Sequence, residues 1–74
     1  MKNYRVEEME NDDVRRVHVV KASTPFEAAA KVVNQEVALS KQREGDWVRV
    51  TDKMKGLVFE YRAVVTAEPQ TKRS

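Results

Sequence analysis

Two stretches of alternating apolar and polar residues, set on either side of one helical segment, predict an α+β domain. The expected form is a two-layer β-β-α-β-β arrangement, with one helix packed on a four-stranded, mostly antiparallel sheet. Three observations carry this. Tyr4 and Val6 alternate with Arg5 and Glu7, and a valine-rich stretch, Val14 to Val20, follows Asn11-Asp12-Asp13. Ser23-Thr24-Pro25-Phe26-Glu27 then opens a segment of helical spacing, and from Asp46 onward the period returns to two.

Taken in order, residues 3 to 10 and 14 to 22 read as a β-hairpin, since Asn and Asp tolerate turn conformations that strands refuse. The turn lacks the glycine of the strongest two-residue turns. The helix start is the clearest local signal. Thr24 is placed to accept from the backbone N–H of Glu27, whose carboxylate is placed to bond back to the N–H of Thr24. Pro25 stands at the first helical position, where a missing N–H costs nothing. Phe26, Ala29, Ala30, Val33 and Val37 follow on one face, which carries the expected helix to about residue 38, or as far as Arg43 before Gly45. Ala28, Val32 and Leu39 form a second stripe on the opposite side, a candidate for a homodimer or partner contact.

Beyond the helix, Trp47, Arg49 and Thr51 alternate with Val48 and Val50. Lys53-Met54-Lys55-Gly56 reads as a turn with Gly56 at positive φ, and Leu57 to Val65 resumes the alternation with Leu57, Phe59, Tyr61, Ala63 and Val65 on one face. The expected domain spans residues 1 to 66. Residues 67 to 74, with one proline and no large apolar side chain, have the composition of a flexible tail.

At 74 residues the chain suits one small domain, since a chain of about that length buries only roughly 60% of its unfolded surface and cannot divide into two cores. A hydrophobic content of 41% beside 35% charged residues is that of a folded domain rather than a disordered one. The absence of cysteine removes disulfides, thiolate metal sites and cysteine nucleophiles together. The apolar runs, such as Ala28 to Ala30, fall far short of the ~20 residues a spanning helix needs. With no signal-peptide pattern at the start, a cytoplasmic location is expected and no membrane partner.

The net charge of +2 does not by itself imply a polyanion partner. Its distribution is uneven: Lys2 and Arg5 against Glu7, Glu8, Glu10, Asp12 and Asp13 leave residues 1 to 13 at −3 and the remainder at +5. The spacing of these carboxylates matches no calcium loop, and neither metal nor cofactor is expected. The chain has one histidine, His18, and lacks a Gly-rich phosphate loop, a nucleophile elbow and a His-x-x-x-His pair. No catalytic residue is assigned, and the protein is expected not to be an enzyme.

The candidate interaction surface is the sheet face turned away from the helix. If Val17, Val19, Val48 and Val50 point toward the helix, then Arg16, His18, Trp47, Arg49, Glu60 and Arg62 point away from it, with Arg49 and Glu60 a candidate cross-strand pair. Tryptophan and arginine are the residue types that anchor protein interfaces. The leading expectation is a non-enzymatic protein-interaction module. The alternative is a nucleic-acid binder using Arg15, Arg16, Lys21, Arg49, Lys53, Lys55 and Arg62 around a stackable aromatic.

The strand ending at Ala22, the Ser23-Thr24-Pro25-Phe26-Glu27-Ala28-Ala29-Ala30 helix start and the returning strand opened by Trp47 together resemble a unit found in many small bacterial and phage proteins. Among these are small phage inhibitors of host RNA polymerase. The resemblance covers about residues 15 to 51 and implies action by protein–protein contact. This chain departs from the pattern in its fourth strand and in Lys53 and Lys55, and no site residue is carried over.

Overall fold

A computed structural model describes residues 1–64. The expected tail and Val65, the last residue of the expected fourth strand, lie outside them. The order is β1 (Lys2–Glu10), β2 (Asp13–Ala22), α1 (Pro25–Val33), β3 (Val37–Leu39), β4 (Asp46–Asp52) and β5 (Leu57–Ala63). The strands form one sheet in the spatial order β2-β1-β4-β5-β3, and every neighbouring pair is antiparallel. Among the described residues the α+β class and the single helix stand as expected, but the sheet has five strands rather than four. No helix among the described residues is long and apolar enough to cross a membrane.

The fifth strand comes from the far end of the expected helix. The helix starts where the cap predicts: the N–H of Glu27 donates to Thr24 Oγ1 at 3.1 Å, and Glu27 Oε1 accepts at 2.7 Å from the N–H of Ser23, one residue earlier than expected. It stops at Asn34, which takes the left-handed conformation at φ 61° and donates its N–H to the Ala30 carbonyl at 2.7 Å. Asparagine tolerates this conformation better than most residues, so it ends a helix much as glycine does. Val37 therefore enters the core from β3, opposite Ala63 of β5, rather than from a helix face. Bonds from Ser40 N–H to the Glu60 carbonyl and from Val64 N–H to the Glu36 carbonyl extend this short pairing at both ends.

The core lies between α1 and one side of the sheet, where Tyr4, Val6, Ala22, Ala28, Ala29, Val48, Val50 and Tyr61 are buried and Val32 and Val33 pack against them. This overturns the expected outer helix stripe. Ala28 is fully buried, Val32 belongs to the core's margin, and Leu39, 69% exposed, lies on β3 and not on the helix. Phe26, expected inside, is half exposed and meets Tyr61 edge-on with ring centroids 6.1 Å apart.

Both hairpins turn as their residues dictate. Asn11 reaches φ 54° between β1 and β2, and Gly56 reaches φ 70° between β4 and β5. In the second turn Asp52 Oδ1 accepts from the N–H groups of Met54 and Lys55 at 3.0 and 3.2 Å. This side-chain turn is the local bonding that aspartate favours.

Candidate protein-interaction surface

The face of the sheet away from α1 is organised by a row of alternating charge. Glu7 lies opposite Arg49, and Arg49 lies opposite Glu60, on three consecutive strands. Arg49 Nε donates to Glu7 Oε1 at 2.8 Å, and Arg5 stands 3.7 Å from the same carboxylate. Arg49 thus hydrogen-bonds Glu7, while its other cross-strand neighbour, Glu60, is held at 2.5 Å by Arg43. The hydrogen bond from Arg49, with the charges of Arg49 and Arg5, holds the buried Glu7 carboxyl below its ordinary value of 4.5 against the opposing effect of burial. Such an arrangement cancels charge within the face, because each guanidinium faces a carboxylate it can bond directly.

Trp47 does face away from α1, but it is only 4% exposed and offers no anchor to a partner. Its Nε1 donates to the Asn11 carbonyl at 2.6 Å, the Arg43 guanidinium lies 5.6 Å from its ring centroid, and buried Met9 stands opposite it on β1. Asn11 and Gly45 also bond each other twice, N–H to carbonyl and N–H to Oδ1, each at 2.8 Å. The tip of the first hairpin is thereby clasped to the loop ahead of β4, and the indole is sealed between them. Arg62 shares Trp47's side of the sheet and is committed to the same loop, where it donates to the carbonyls of Gln42 and Glu44.

The other two expected surface residues lie on the opposite side. Tyr4 and Val6 point toward α1, and the β1–β2 register sets Val20 opposite Tyr4, His18 opposite Val6 and Arg16 opposite Glu8. His18 and Arg16 therefore share the helix side of the sheet, with His18 paired to Glu8 through Nε2. The five expected site residues do not form one surface: Trp47, Arg49 and Arg62 face one way, Arg16 and His18 the other.

What comes forward instead is a valine stripe. Val14, Val17 and Val19 face opposite Met9, Glu7 and Arg5, on the side away from α1, and are 46%, 49% and 64% exposed. The register shift between Glu8 and Met9 leaves Arg15 as an extra residue on β2, which lets Val14 share the side of Val17 and Val19. Among the described residues β2 is an edge strand, ten residues long and paired on one side only. The opposite edge strand, β3, has three residues. A signal for this stripe exists in the sequence: Val17 and Val19 alternate out of phase with Val20 and Ala22, so one set must face away from the core.

In comparisons with known proteins, no family model matches the chain, no curated protein matches it in sequence, and no solved structure matches its fold.

Proposed function

We propose that the protein is a non-enzymatic, cytoplasmic protein-interaction module that engages its partner through the β2 edge. The observation that carries this reading is the combination on β2 of a long strand edge, unpaired among the described residues, with three exposed valines on one side. An open edge offers a row of backbone donors and acceptors, which is how strand-adding interaction domains gain affinity, and alternate side chains give the specificity. The cationic side chains weigh against the nucleic-acid alternative: Arg49, Arg43 and Arg15 face carboxylates, Arg62 is bonded to loop carbonyls, and Arg16 and Lys21, which pair with no carboxylate among the described residues, lie on opposite sides of β2. His18 sits in a row with Val6, Val50 and Phe59, and its partner Glu8 in the next row with Arg16, Val48 and Tyr61.

Capture from lysate, with and without nuclease, on wild type and on the Val17→Lys/Val19→Lys variant tests this reading. The expected result is bound protein that survives nuclease and is lost in the variant. Captured material that disappears with nuclease, or that binds wild type and variant equally, overturns it.

A further inference from the structure

The edge that is open is also charged. Arg15, Arg16 and Lys21 stand on β2 against a single carboxylate, Asp13. Arg15 is bonded to Glu10 at 2.5 Å, whereas neither Arg16 nor Lys21 pairs with a carboxylate among the described residues, and both are exposed. The Lys31 ammonium bonds the Lys21 carbonyl at 2.8 Å, so that acceptor is already taken, and the stretch from Val14 to Val20 lies before it.

We propose that this stretch accepts an acidic, extended polypeptide segment as a sixth strand. The proposal rests on the interaction-module reading and narrows it to one class of partner. The two sides of β2 carry different chemistry: Val14, Val17 and Val19 lie away from α1, and Arg16 and His18 lie on the helix side. A strand whose side chains alternate between apolar and acidic meets both sides at once. Its apolar residues continue the valine stripe, and its carboxylates stand beside Arg16, where directly opposed unlike charges stabilise a sheet. The same charges disfavour a second copy of the chain. In an antiparallel pairing of two β2 strands centred on His18, Arg15 of each copy lies opposite Lys21 of the other, and like charges so placed oppose that pairing. Basic residues on the edge thus both suppress self-association and select an acidic partner.

The test uses two labelled, capped nonapeptides, one alternating glutamate with valine and one alternating lysine with valine. Anisotropy reads affinity and residue-resolved amide exchange reads the site, on the wild-type chain and on the Arg16→Glu/Lys21→Glu variant. The expected result is a preference of about tenfold or more for the glutamate peptide. Alternate amides between Val14 and Val20 should gain protection, and the preference should invert in the variant. Equal affinity for the two peptides overturns the acidic class. Binding of neither, or protection confined to other strands, overturns strand addition at β2. Protection of β2 that grows with protein concentration in the absence of peptide assigns the edge to a second copy and overturns the proposal. Capture of a nuclease-resistant partner that the Val17→Lys/Val19→Lys variant loses, while neither peptide binds, leaves the interaction-module reading standing and removes only this one.

Discussion

Trp47 Nε1 donates to the backbone carbonyl of Asn11 across 2.6 Å, joining a residue at the start of β4 to the tip of a hairpin thirty-six positions earlier in the chain. The bond accounts for the burial of the tryptophan and for the fixed position of the β1–β2 turn. Trp47→Phe keeps an aromatic ring but removes the donor and part of the packing. It should lower stability by about 1–3 kcal/mol, the cost of leaving a partly buried acceptor unsatisfied. Thermal unfolding measures the loss, and faster amide exchange at Asn11 locates it. Unchanged exchange at Asn11 would show that the turn holds without the indole.

Arg49→Met should destabilise the fold by about 1–3 kcal/mol, because it strips the buried Glu7 carboxylate of its closest donor. The pH dependence should change with it. Glu7 titrates below its ordinary value of 4.5 in the folded chain, so its contribution to stability is complete above that pH and is lost as pH falls through the folded-state value. Denaturant titrations between pH 7 and pH 3 should show a shallower acid loss in Arg49→Met than in wild type. A residual slope of the same sign should remain from Asp52. There burial, which alone would raise its value, is outweighed by hydrogen bonds from the N–H groups of Lys55 and Met54 and by the charge of Lys2.

The direction in which β2 faces is tested by two adjacent substitutions. Val19→Lys replaces a side chain that is 64% exposed and should shift stability by no more than about 0.5 kcal/mol. Val20→Lys places an ammonium against the core and should cost about 2 kcal/mol or more. The reverse ranking in chemical denaturation would mean that Val17 and Val19, not Val20 and Ala22, line the core.

Thr24→Ala should cost about 1 kcal/mol, since Thr24 Oγ1 satisfies the N–H of Glu27 at the first turn of a helix only nine residues long. Thr24→Ser, which keeps the acceptor, should remain within a few tenths of wild type. Equal melting temperatures for Thr24→Ala and Thr24→Ser would remove the cap from the account of helix stability.

Local signals proved readable where a single backbone interaction decides the outcome. The Thr24-Pro25-Glu27 cap placed the helix start, Gly56 placed the second turn, and the alternation of Tyr4 with Val6 placed the inner side of β1. Where two patterns coexist, periodicity misled. Val33 and Val37 are four apart, as on a helix face, yet Asn34 ends the helix between them and Val37 is a strand residue. On β2 apolar residues occur at both parities, so the inner set is decided by pairing with β1 and by Ala22, which leads directly into α1. The candidate site was least legible, because Trp47 and Arg62 owe their surroundings to Asn11, Gln42 and Glu44, loop residues whose contacts no spacing rule encodes.

Residue-resolved hydrogen exchange along β2 in the free protein at low concentration tests most directly whether this strand is an open docking edge. The structure predicts alternation between Val14 and Val20: amides bonded to β1 exchange slowly, and those between them, directed outward, exchange rapidly, in contrast to the uniformly slow amides of β4, which is paired on both sides. Uniformly slow exchange along β2 would mean that its outer edge is already occupied, and would contradict the account.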